Sequence, residues 1–209
     1  MEDIIIAGAG GFGMEALATI QDINRKRMRW NIKGFINDIP DVLEGKKCTY
    51  GIIGTIIDWQ PSENEVFVVG ISSPAGKEKV ANILKSKGAK FATLISPFAL
   101  ASPDADYGEG SIVTGGSIVS GGAKIGNFVH ISGSMIGGGS TIGDYSTTTG
   151  YANVADACLG KRVFVGSHAV ILNNLKVGDD AFVCAGSIVI RNVKPGTKVF
   201  GNPAKRIDI

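Results

Sequence analysis

Apolar residues recur at two different periods along this chain, and the change of period divides it. Over residues 1–100, short apolar runs alternate with helical patterns. Residues 3–7, with Ile4, Ile5 and Ile6, predict a buried strand, and residues 14–27 predict a helix with Ala16, Leu17, Ile20 and Ile23 on one face. Further strands are expected at 33–36, 65–70 and 91–95, the last stopped by Pro97, with a short αβ element at 51–57. A second helix is expected at 75–87, with Val80, Ile83 and Leu84 turned inward. Strands alternating with helices imply a parallel sheet with right-handed crossovers.

After Pro103 the apolar period becomes six. Leu159, Val165, Ile171, Val177, Val183 and Val189 follow one another at that spacing, as do Val113, Val119, Ile125 and Ile131. Gly-rich pairs such as Gly115-Gly116 and Gly121-Gly122 fill the turns. Six-residue repeats stack into a solenoid, three to a coil, each coil burying its apolar residues against the next. Strands of a sandwich alternate with period two and do not hold a six-residue spacing. The expectation is an α/β Rossmann-like unit over 1–100, followed over 101–209 by an all-β left-handed parallel β-helix, clearest from 112 to 190. Two intervals break the rhythm: Ile125 to Ile136 and Ile142 to Leu159 are each one residue short, implying a shortened turn in each.

Composition narrows the partners. The 209 residues carry 21 Lys+Arg against 19 Asp+Glu, a net of +2, which gives no electrostatic reason to expect nucleic acid. No apolar run reaches the ~18 residues of a membrane span, and the first residues have no basic leader of a signal peptide. Membrane insertion is therefore not expected. Cys48, Cys158 and Cys184 form no CxxC pair and no metal set, and suit small buried thiols in a reducing cytosol.

Several residues carry candidate chemistry. Gly8-Ala9-Gly10-Gly11-Phe12-Gly13 fits GxGxxG between a strand and a helix, where the turn is tight and free N–H groups face an anion. Asn37 and Asp38 end the next strand, where a carboxylate could accept from a ribose or base. The unit is too short for a complete dinucleotide fold, so a single nucleotide or nucleotide-sugar is the expected ligand rather than a nicotinamide cofactor. Only two histidines, His130 and His168, are available as a general base, and both have ordinary structural readings. Lys161-Arg162 and Lys205-Arg206 could attract a phosphorylated cofactor or be solvated surface.

The GAGGFG loop, the hexapeptide repeats and the closing Gly201-Asn202-Pro203-Ala204-Lys205-Arg206-Ile207 together resemble the sialic-acid O-acetyltransferase-type sugar acyltransferases. That group includes N-acetyltransferases of UDP- or GDP-linked 4-amino sugars. The resemblance implies a homotrimer that binds a nucleotide-sugar through Gly8, Gly10, Gly11, Gly13, Asn37 and Asp38. It implies acetyl-CoA lying along the β-helix near Ala155, Gly166, Ser167, Ala185, Gly186 and Lys205. It also implies a catalytic His at position 138 with an acidic neighbour, but Gly138 and Gly139 stand there. An amine needs less help from a base than a hydroxyl, so the expected activity is acyl transfer to a nucleotide-linked amino sugar in surface glycan synthesis. The alternative is a non-catalytic trimeric homologue that keeps the nucleotide-sugar pocket.

Overall fold

The computed structural model describes residues 1–208; Ile209, the last residue of the expected second domain, lies outside them. The N-terminal unit is a five-stranded parallel sheet. Its strands are β1 (Glu2–Ala7), β2 (Trp30–Ile36), β3 (Ile52–Gly54), β4 (Glu65–Val69) and β5 (Lys90–Phe91), in the order β3-β2-β1-β4-β5. Helix α1 (Gly11–Lys26) follows β1 and helix α2 (Pro74–Ser86) follows β4. The order reverses beside β1, and the loops after β1 and β4 meet at the carboxyl edge there, the usual ligand position in an open α/β sheet. The central strands are apolar throughout because both faces are covered: Ile4 and Ile6 pack under α1, and Ile5 and Ala7 under α2.

The sequence pattern misplaced some boundaries. Helix α1 starts at Gly11, because glycines at its first turn hide its apolar rhythm. The expected αβ element at 51–57 is only β3 followed by a turn. The strand expected at 91–95 is two strands: Lys90–Phe91 closes the N-terminal sheet, while Leu94–Ile95 pairs with Ile112–Val113. Leu94–Ile95 is thus the first rung of the solenoid, which starts well ahead of Ile112.

The second unit is a parallel β-helix of two-residue strands in three sheets. Along each coil the chain visits the first, second and third sheet in turn, beginning at Leu94–Ile95, Leu100–Ala101 and Asp106–Tyr107. The second residue of each strand points inward. Val113, Val119, Ile125, Ile131, Ile136, Ile142, Val154 and their successors form one continuous buried column, each side chain contributing roughly 1.5–3 kcal/mol. Thr148 takes an inward position too, fully buried.

Both short intervals are real. Ile118, Lys124 and His130 pair with Met135, Thr141 and Thr147, so that coil is one residue shorter than the coil above, where Ile112 pairs with His130. The missing residue is lost at the first corner, which holds Ser132, Gly133 and Ser134 where the corner above holds Thr114, Gly115, Gly116 and Ser117. The second loss lies at the corner of Ala155, Asp156 and Ala157.

The outward residues give each sheet a character. The second sheet presents Leu100, Ile118, Met135, Asn153, Val170 and Ile188, of which Leu100 is 72% exposed. The third presents Asp106, Lys124, Thr141, Cys158 and Lys176. The upper first sheet is covered by the N-terminal unit: Ile112 joins the core under α1, and Phe128 packs between Phe91 and Tyr145 at ring distances of 4.9 and 5.4 Å.

Candidate active site

Two features adjoin at the start of α1. The first is the Gly-rich loop, in which the glycines divide by role. Gly8 has φ +101°, and a Cβ on Gly13 would sit 2.1 Å from the Gly8 carbonyl oxygen. These two permit the turn and the close approach of helix to strand. Gly10 and Gly11 have nothing within 4 Å of where a Cβ would stand, so they face open space. The Asn37 side chain accepts from Ala9 N at 3.3 Å, and Lys46 Nζ donates to Ala9 O at 3.2 Å. Asp38 departs from its expected place: Oδ1 accepts from Ile56 N at 2.8 Å and so braces the turn after β3.

The second feature is a cleft of about 510 Å³ between α1 and the corners joining the first and second sheets. Phe12 and Glu15, three apart on α1, face the β-helix there. Ser132, Thr149, Ser167 and Ala185 come from four successive corners. Stacked coils lie ~4.8 Å apart, so these residues form a track of about 14 Å. Thr149 and Ser167 hydroxyls meet at 3.1 Å, and Gly186 N donates to Ser167 O at 2.9 Å. Phe164 and Phe182 stack on one wall at 4.7 Å.

At the head of the track is a polar cluster. Ser132 Oγ donates to Glu15 Oε2 at 2.7 Å, and His130 Nε2 lies 3.6 Å from the same oxygen. The Glu15 side chain is 41% exposed, whereas His130 is 1% exposed beneath it, with the Phe12 ring edge-on at 4.5 Å. Neither imidazole nitrogen has a hydrogen-bond partner. Burial lowers the pKa of His130, the nearby Lys77 lowers it further, and Glu15 offsets part of this; the ring is neutral at pH 7. For Glu15, partial burial alone would raise the pKa, but His130 and the Ser132 hydroxyl outweigh it and hold the carboxyl below its ordinary value.

Behind His130 lies Lys77, fully buried in the first turns of α2. Its Nζ donates to Ser146 O at 3.0 Å and Thr147 Oγ1 at 2.9 Å, and Thr147 Oγ1 donates to Ser72 O at 2.9 Å. Thr147 is the strand neighbour of His130. Burial pushes the Lys77 amine down to about 7.

The structure gathers some expected residues and separates others. Gly166, Ser167 and Ala185 line the cleft, and Gly186 abuts it. Gly166 is a packing position, since a Cβ there would meet Ala185 N at 2.5 Å. Ala155 lies on the next corner, across the second sheet. Lys205 sits on the C-terminal hairpin, beside a separate hollow with Arg191, Lys194 and Arg206. His168 is outside the cleft, on a corner at φ +59°, with its ring 5.1 Å from Tyr151. Gly138 is on the second corner of its coil, where a Cβ would meet Gly121 O at 2.5 Å; the carboxylate beside that corner, Asp156, accepts from Gly139 N at 2.9 Å. Sequence reasoning missed Glu15 and Lys77. Glu15 interrupts the apolar face of α1 beside Ala16, and a carboxylate there was the available signal. No pattern in α2 distinguishes Lys77 from its solvated neighbours.

Residues 3–84 match the PglD N-terminal domain family. The whole chain shares its fold with solved proteins. The acetyltransferase domain of PglB from Neisseria gonorrhoeae FA1090 superposes with TM-score 0.89 at 22% identity, over 99% of this chain and 100% of that one. PerB from Caulobacter crescentus, solved with CoA and GDP-perosamine, gives 0.89 at 21%, over 100% and 98%. WeeI from Acinetobacter baumannii AYE gives 0.85 at 24%, over 99% and 100%. Curated relatives match short stretches only. A chloramphenicol acetyltransferase of Agrobacterium fabrum is 40% identical over 58 residues, 28% of each chain. The chain thus spans about a quarter of the length of the curated relatives it matches. The resemblance and the fold class read from the sequence agree with these findings. No described helix is long and apolar enough to cross a membrane.

Proposed function

We propose that this protein transfers an acyl group, acetyl in the first instance, from coenzyme A to a nucleotide-linked amino sugar for surface glycan synthesis. The observation that carries the reading is the joining of the two features on α1. A Gly-rich helix start with open space at Gly10 and Gly11 and a protonatable cleft head lie one turn apart, and the cleft continues as a track down the β-helix. A diphosphate at Gly10 and Gly11 sets the attached sugar beside Glu15, about 6 Å further along the helix. The thioester arm follows Thr149, Ser167 and Ala185, with Phe164 and Phe182 as its apolar wall. PglB, also solved with acetyl-CoA, and PerB, solved with CoA and GDP-perosamine, support the same pairing of substrates.

The division of labour follows the two units: residues 1–100 hold the nucleotide and 101–209 the acyl donor. Transfer to nitrogen is favoured over oxygen, because position 138 offers no base. The apolar strip of Leu100, Ile118, Met135, Val170 and Ile188 supports a homotrimer in which copies cover this sheet. The cysteines are not the buried thiols expected, since Cys158 is exposed at the outward position of its strand and Cys48 and Cys184 are half-buried, but as free thiols they fit a cytoplasmic setting.

The test is CoA release from acetyl-CoA with a panel of UDP- and GDP-linked amino sugars, with sedimentation for the trimer. Release above background with one member is expected. Gly138 favours a second reading, a non-catalytic nucleotide-sugar binder; nucleotide-sugar binding with no acetyl-CoA binding by calorimetry would establish it.

A further inference from the structure

We propose that the Glu15 carboxylate, on the nucleotide-binding helix, is the proton acceptor of the transfer. This rests on the acyl-transfer reading above and names the residue that moves its proton. Titratable side chains lining the cleft are Glu15 and Cys184, and Cys184 lies three coils below Ser132, at the far end of the track. His130 is sealed beneath Phe12 and Glu15, with no open path to a ligand. The corner of Gly138 lies against Gly121, and the carboxylate beside it, Asp156, is outside the cleft lining and is engaged by Gly139 N at 2.9 Å.

Glu15 is also held in place. Oε2 accepts from Ser132 and lies 3.6 Å from His130 Nε2, while the side chain stays 41% exposed and lines the cleft. Ser132 donates to the carboxyl, whose pKa lies below its ordinary value, so the group is ionised at pH 7, as an acceptor requires. In the step, the sugar amine attacks the thioester carbonyl carbon, a C–N bond forms, and the amine proton passes to Glu15. The C–S bond then breaks and the departing thiolate takes that proton back, so the carboxylate is restored. A carboxylate is a weak base, but the nitrogen becomes strongly acidic once it has attacked, so the acceptor does not need a pKa near 7.

The test compares wild type with Glu15→Gln, Glu15→Asp and His130→Asn by CoA release and by calorimetry of acetyl-CoA and GDP-perosamine binding. Glu15→Gln, which keeps the shape and can still accept from Ser132, is expected to lower kcat by roughly 10²–10⁴-fold. Binding of both substrates and the melting temperature should stay near wild type. Glu15→Asp should recover part of the rate. The acid limb of wild-type kcat should lie below the ordinary glutamate range, not near the ~6.5 of a free imidazole. An active wild type whose Glu15→Gln variant keeps kcat within about threefold overturns the assignment alone. A wild type that binds both substrates yet releases no CoA from any amino sugar overturns the transfer reading, and the assignment with it.

Discussion

Two corners of one coil stand a single strand apart and differ in almost every physical respect. The corner of Ser132, Gly133 and Ser134 is one residue short, and the room it gives up is occupied by Phe12 and Glu15 of α1. The corner of Gly137, Gly138 and Gly139 keeps its full length and leaves a side chain no room against the neighbouring coils: Cβ atoms there would meet Asp156 Oδ1 at 2.7 Å, Gly121 O at 2.5 Å and Asp156 Cγ at 3.2 Å. A polar side chain can work only where the backbone leaves it space and solvent access. In this solenoid that space lies at the shortened corner. The glycines at the other are there because the neighbouring coils come so close.

The sharpest way to break this comparison is to put a histidine back at the closed corner. Gly138→His must displace Gly121, so urea unfolding should show a loss on the order of 1–3 kcal/mol. The same variant in a Glu15→Gln background should recover no turnover. A stable, active double variant would show that the corner is open after all.

A second measurement asks what supports the open corner from behind. Lys77 has an ordinary pKa of 10.5 and about 7 when folded. Between those values the unfolded chain holds a proton that the folded chain does not, so stability rises with pH over that window. Thermal melts should gain several degrees between pH 7 and pH 9, and Lys77→Met should flatten that rise. An unchanged slope in the variant would mean the amine stays charged in its burial site.

Smaller effects sharpen the picture. Ser132→Ala removes one hydrogen bond to the Glu15 carboxylate and should lower kcat about 10-fold, the scale of ~1.5 kcal/mol for a bond to a charged group. The acid limb should move upward, with no change in unfolding midpoint. Phe182→Ala removes a stacked pair with Phe164 worth ~0.5–1.5 kcal/mol. It should raise KM for acetyl-CoA roughly three- to tenfold and leave KM for the nucleotide-sugar unchanged.

The solenoid was legible because its inward residues must be apolar at every rung, and a six-residue spacing survives even where Thr148 interrupts it. Both short coils could be counted from Ile125 to Ile136 and from Ile142 to Leu159. The Gly-rich loop was legible for the same reason, since a turn with φ +101° at Gly8 and a 2.1 Å approach at Gly13 admits no other residue. The site was harder. Glu15, Lys77 and the pair His130 and Ser132 come from three places in the chain and are brought together only by the docking of two helices on one sheet. His130 stood out only as one of two histidines and Glu15 only as a break in an apolar helix face, while Ser132 and Lys77 carry no local pattern. Leu94–Ile95 was misread because a strand at a junction looks alike whichever sheet it joins.

That docking has a consequence for how such proteins can be rebuilt. α2 is fastened to the β-helix by the buried Lys77, by Arg162 bridging Glu78 and Asp180, and by Lys85 over the Phe128 ring at 4.5 Å. The cores of the N-terminal unit also continue into Ile112 and Phe128 of the β-helix. The two units therefore cannot be exchanged as cassettes: a chimera carrying a foreign nucleotide unit would expose Phe128, His130 and Thr147 and forfeit its proton acceptor at once. Diversification toward new sugars must proceed by substitution inside the joint, and the intact chain should melt in a single transition.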